Sequence, residues 1–221
     1  MNAARAEWTK LRTTPGPAWL LLATVTGTVA LGAAVDGAAT CPPPGCGVDA
    51  ALSGVYLGQA PVAVLGVLAV SGEYSTGLIR ATLAAIPGRA AVLTAKALVL
   101  AVAVAAAGSL AVLGSLLVAG IVLPGHGSVL GAGAGTVAYL VLVAVLSLGA
   151  AAVVRDSAAA IGTVLGLLYL PPVLTQMVTD PHLHRLLEQA APSPSARLGV
   201  VAAWSAGTLL AGTLLLRRRD T

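Results

Sequence analysis

Apolar residues in this chain come in six long runs, and the polar residues are confined to the short stretches between them. A helix needs about 20 mainly apolar residues to cross a bilayer. The runs fall at about 18–35, 50–72, 97–123, 129–154, 158–178 and 198–216. The pattern predicts an all-α integral membrane protein of six transmembrane helices, forming a single transmembrane domain over residues 1–221. Gln59 and Pro61 interrupt the second run, and the fifth carries Pro171 and Pro172. Because proline lacks a backbone donor, those two residues predict a kink or break in the fifth span.

Two shorter segments have helical periodicity without the length to span. In residues 3–12, Ala4, Trp8 and Leu11 share a face, with Arg5, Lys10 and Arg12 around them, ahead of Pro15-Gly16-Pro17. This predicts a short amphipathic helix on the membrane surface, an unstructured basic tail being the alternative. Between the second and third runs, Ile79, Leu83 and Ile86 recur at helical spacing while Arg80 points elsewhere, and Pro87-Gly88 supplies a stop. A second amphipathic helix is expected there. Its pattern suits a lipid surface and a groove on another protein equally well.

Composition agrees with the runs. Hydrophobic residues make up 57% and charged residues 9% of the chain, against roughly 25% charged in an ordinary soluble domain. The net charge of +4 therefore reads as membrane orientation. It does not suggest nucleic acid, because no basic stretch is interleaved with aromatic residues. With the N-terminus inside, Arg5, Lys10, Arg12, Arg80, Arg89, Lys96, Arg155, Arg217, Arg218 and Arg219 are cytoplasmic, and only Arg185 and Arg197 are external. That distribution obeys the positive-inside rule and places both termini in the cytoplasm. The first run exceeds a signal-peptide core and is read as a retained helix.

The candidate chemistry begins with absences. None of the six runs carries a charged residue near its centre, whereas a carrier driven by an ion gradient ordinarily keeps ionisable groups there. Glu73, Lys96, Arg155 and Asp156 sit at run edges, where snorkelling or solvation accounts for them. A phosphate-binding loop needs a lysine after glycine, and the two lysines, Lys10 and Lys96, both follow other residues. Uphill transport would thus draw its energy from a partner. Tyr56, Gln59, Tyr139, Ser147, Tyr169 and Gln176 are the polar candidates for a substrate path; satisfying neighbouring helices is the alternative role. Gly54 with Gly58, and Gly162 with Gly166, have the four-residue spacing of close helix contacts, although 26 glycines make chance pairs frequent.

Outside the membrane, Cys41-Pro-Pro-Pro-Gly-Cys46 favours a disulfide in an oxidising exterior, two free thiols being the alternative. His126, His182 and His184 match no common metal spacing. Ser128 beside His126 is the one nucleophile–base pair, and no third group supports an intramembrane enzyme. Leu183, Leu186 and Leu187 suggest a short outer helix or a plain surface loop.

Three places resemble a known family. They are Ala6-Glu7-Trp8-Thr9-Lys10-Leu11-Arg12-Thr13, the run Gly72-Glu73-Tyr74-Ser75-Thr76-Gly77 continuing to Arg80-Ala81-Thr82-Leu83, and the Lys96 entrance to the third span. With the span layout they resemble the six-span membrane subunits of ABC type-2 exporters, particularly the actinobacterial permeases. The resemblance implies that Glu73, Tyr74, Thr76, Gly77, Arg80 and Leu83 belong to a coupling helix docking on a separate ATP-binding subunit, braced by the N-terminal helix. It further implies a second permease subunit, as a homodimer or heterodimer, in a bacterial cytoplasmic membrane. This chain itself would be non-catalytic and hold no cofactor, ATP and Mg being bound by the partner. The expected function is export of a small hydrophobic or amphipathic compound, such as an antibiotic, drug or lipid-like molecule. An ATP-independent channel or carrier is the alternative.

The charge distribution makes a direct prediction. Cysteines introduced near Thr221 or within 73–96 should resist an impermeant thiol reagent in intact cells, while residues 37–49 should react. Labelling near Thr221 would invert the topology.

Overall fold

The computed structural model describes residues 2–38, 52–75, 89–122, 129–177, 180, 182–183, 192, 194 and 198–218. Among them every regular element is an α-helix: α1 (Asn2–Thr13), α2 (Pro15–Ala38), α3 (Val55–Ser75), α4 (Arg89–Val122), α5 (Val129–Val154), α6 (Ser157–Met177) and α7 (Leu198–Arg218). Helices α2 to α7 are each long and apolar enough to cross a membrane. They correspond in order to the six expected runs.

Local chemistry explains several boundaries. The α1 helix closes where the Thr13 hydroxyl donates to the Thr9 carbonyl oxygen and the Thr14 amide and hydroxyl donate to that of Lys10. Pro15 then opens α2, since a proline in the first turn forfeits only a donor that has no helical partner anyway. Between α5 and α6 the connection is Arg155-Asp156 alone. Arg155 takes a left-handed backbone conformation with φ 62°, and Asp156 caps α6 by accepting the Ala159 amide at 2.7 Å.

Two expectations need correction. Pro171 and Pro172 do not break the fifth span, because α6 runs continuously through both. A proline's φ of about −65° fits a helix, so its cost is local: the carbonyl oxygens of Leu167 and Leu168 lose their donors. The helix that carries the third span begins earlier than expected, at Arg89, with its apolar span from Val92, so Lys96 lies inside the helix. At about 1.5 Å per residue, its 34 residues extend roughly 50 Å, beyond the ~30 Å hydrocarbon layer. One end of α4 therefore stands outside that layer.

The centre of the bundle is α5, which packs against α3, α4, α6 and α7. Tyr139, Leu140, Val143, Ala144, Leu146, Ser147, Leu148, Ala151 and Ala152 are buried around nearly its whole circumference. Opposite it, α2 packs against both α3 and α4 to close a four-helix group, and α6 and α7 lie on its flanks. α4 divides cleanly: Leu100, Val104, Ala107 and Ala111 face inward, while Leu98, Val102, Leu110, Leu113 and Leu117 are exposed. Exposed leucine stripes of this extent suit lipid and not water.

Glycine sits at the main crossings. A methyl group on Gly54 would land on the Thr28 carbonyl oxygen and one on Gly58 on the Thr28 hydroxyl. One on Gly66 would lie 2.6 Å from the Ala144 carbonyl oxygen, and one on Gly149 2.7 Å from the Leu209 amide nitrogen. Gly162 and Gly166 have nothing within 4 Å. Of the two pairs noted in the sequence, only Gly54 with Gly58 makes a helix contact within the chain. Gly66→Ala and Gly149→Ala should each cost about 1–3 kcal/mol or more by overpacking, whereas Gly166→Ala should be neutral or slightly stabilising. Thermal unfolding of the purified detergent-solubilised variants checks this; equal melting temperatures in all three would refute the packing.

Candidate functional site

At the end of the bundle formed by α1 and the start of α4, Glu7 is the organising residue. Its carboxylate accepts from the Lys96 ammonium at 2.6 Å and from Lys10 at 3.2 Å. Glu7 is 8% and Lys96 6% exposed. Both lysines of the chain thus meet one carboxylate. This corrects the expectation that Lys96 is snorkelling or solvated: α1 covers it and supplies its counter-ion. A cavity of about 270 Å³ adjoins the pair, walled by Leu20, Leu65, Leu68 and Leu100.

Nearer the opposite end, four of the six polar candidates come together. The Tyr139 hydroxyl donates to Gln59 Oε1 at 2.5 Å, with the Pro192 carbonyl oxygen at 3.3 Å. The Tyr169 hydroxyl donates to the Tyr56 carbonyl oxygen at 2.5 Å, so α3, α5 and α6 are joined by side chains. Gln59 is completely buried, and the Tyr169 hydroxyl lies beside its amide. The other two candidates stay apart. Ser147 returns its proton to the Val143 carbonyl oxygen at 2.7 Å, and Gln176 is exposed.

Beside the tyrosines is a cavity of about 330 Å³ lined by Leu52, Ser53, Tyr56, Thr136, Tyr139 and Leu198, among others. Ser53 and Thr136 were not singled out in the sequence, since short polar residues near helix ends carry no distinctive pattern. Their position depends on α3 and α5 lying together.

The residues expected in a coupling helix are only partly placed. Glu73 and Tyr74 fall in the last turn of α3, where the backbone alone is described. Thr76, Gly77, Arg80 and Leu83 lie outside the described residues, as do Cys41, Cys46, His126, Ser128, His184, Leu186 and Leu187. His182 and Leu183 are exposed.

Fold and composition together define a multi-pass α-helical membrane protein. Comparison with protein-family models and with curated proteins finds no significant match to the chain.

The ion pair generates a sharp test. Removing one partner of a buried pair costs about 3–5 kcal/mol, whereas replacing both with apolar residues is often near neutral. Lys96→Met should therefore loosen α1 and speed tryptic cleavage at Lys10 and Arg12 by about a hundredfold or more. Adding Glu7→Leu should restore most of the protection. Equal cleavage of wild type and Lys96→Met would show that the pair does not hold α1.

Proposed function

We propose that this chain is the membrane-spanning subunit of an ATP-driven exporter, with both termini in the cytoplasm and ATP hydrolysed by a separate subunit. The observation that carries the reading is the buried contact of Glu7 with Lys96. It joins the N-terminal helix to the start of α4, the helix that follows residues 76–88. A load applied at that segment would enter α4 and α1 as one body, as a docking element driven from outside the membrane requires.

The membrane interior supports the same reading. The described parts of the six spans offer hydroxyl and amide groups, but the one charged side chain among residues of the apolar windows is Lys96, at an edge. Such an interior suits a solute path better than an ion-coupling site. On this reading two ATP-binding subunits close around ATP, the 73–83 segments move with them, and two membrane subunits exchange inward-open and outward-open states. The cargo is a small hydrophobic or amphipathic compound.

Charge reversal in the 73–83 segment tests the proposal. A tagged wild-type chain purified from its native host should retain an ATP-hydrolysing subunit. Glu73→Arg and Arg80→Glu should still insert, because neither lies in a span interior, but should weaken that association tens to thousands of times. A buried interfacial charge deprived of its partner costs about 2–5 kcal/mol, against about 1 kcal/mol or less for an exposed one. Undiminished copurification and ATP turnover in both variants would overturn the assignment.

A further inference from the structure

We infer that the cavity between α3, α5 and the start of α7 is a binding site for a neutral small molecule rich in hydrogen-bond acceptors, such as one bearing carbonyl, ester or ether oxygens on an apolar frame. The inference deepens the exporter reading and rests on it for the role of the ligand as cargo. It comes from an inventory of protons around the cavity. Thr136 donates to the Ala132 carbonyl oxygen at 3.0 Å, Tyr139 to Gln59, and Tyr169 to the Tyr56 carbonyl oxygen. Those donors are occupied.

Two others are not. The Ser53 hydroxyl lines the cavity, is buried, and has no hydrogen-bond partner. Tyr56, an exposed residue, also lines the cavity, and no hydrogen bond among the described residues engages its hydroxyl. Buried polar groups are ordinarily paired, and leaving one unpaired carries the full cost of its desolvation. Surplus donors concentrated at one cavity are satisfied by a guest that brings acceptors.

The remaining lining fixes the other properties of the guest. Leu52, Val55, Ala132 and Leu198 supply apolar wall, and no Asp, Glu, Lys, Arg or His occurs among the described lining residues. A charged guest would lose its hydration there without gaining a counter-charge. A volume of about 330 Å³ is at the lower end of pockets that hold drug-sized molecules, so the guest is compact.

Two probes of similar size separate the possibilities: progesterone, neutral with two carbonyl acceptors and no donor, and tetraphenylphosphonium, a cation with no acceptor. Binding of each radiolabelled compound is measured on the purified chain in lipid nanodiscs, against empty nanodiscs. Progesterone should bind saturably and tetraphenylphosphonium at least tenfold more weakly. Ser53→Ala and Tyr56→Phe should each reduce progesterone affinity about two- to tenfold, the worth of one hydrogen bond. Their melting temperatures should not fall, since neither hydroxyl is hydrogen-bonded in the fold. No saturable progesterone binding, equal or tighter binding of the cation, or unchanged progesterone affinity in both variants would each overturn the site. The assay contains no ATPase. A chain that copurifies with an ATPase yet fails here loses only the site, and one that binds progesterone yet has no ATPase partner loses only the exporter reading.

Discussion

The structure depends on how closely helices approach one another in lipid. In water, apolar faces associate because association removes them from solvent; between lipid tails that gain is absent, and packing and hydrogen bonding must hold helices together. At Gly54 and Gly58 the α3 segment rests directly on Thr28 of α2, and at Gly149 α5 reaches the backbone at Thr208 and Leu209 of α7. Side-chain hydroxyls reinforce the same crossings, as where Ser205 of α7 reaches the Leu142 carbonyl oxygen of α5 at 2.8 Å. The threonines of α2 do not compete for partners: Thr24 and Thr28 return their protons to the carbonyl oxygens of Leu20 and Thr24.

Close packing at α5 has consequences at both ends of the bundle. Because α3 and α4 both lie against α5 and α2, the start of α4 stands beside the N-terminal segment, where Lys96 finds Glu7. The pair adds specificity more than net stability, since desolvating two charges offsets much of their attraction. It fixes where α1 sits on α4. Towards the other end, the same approach of α3 to α5 sets Gln59 against Tyr139 and encloses the neighbouring cavity. The ion pair and the cavity are thus connected through helices that share one partner.

Much of this was legible from residue order alone. Six spans could be read because lipid demands long apolar helices whatever their neighbours are, and the fourth run was placed with the boundaries of α5 itself, 129–154. The N-terminal helix followed from its periodicity over a few turns. Boundaries failed where a helix outruns its apolar stretch: α4 continues back to Arg89 because polar residues are no obstacle to a helix that leaves the hydrocarbon layer.

Pairings across the chain were decided by tertiary structure. Glu7 and Lys96 are 89 residues apart, and Gln59 and Tyr139 are 80 apart; no local pattern encodes such meetings. The two glycine pairs make the point most directly. Gly54 with Gly58 and Gly162 with Gly166 have the same spacing in sequence, yet one pair is pressed against α2 and the other has open space around it. Spacing determines that two small residues share a helix face, whereas the packing of the whole bundle determines whether another helix lies on that face. For the same reason, the sequence by itself determined a membrane protein of six apolar spans, and only the tertiary structure chose four of its six polar candidates to stand together, two of them lining one cavity.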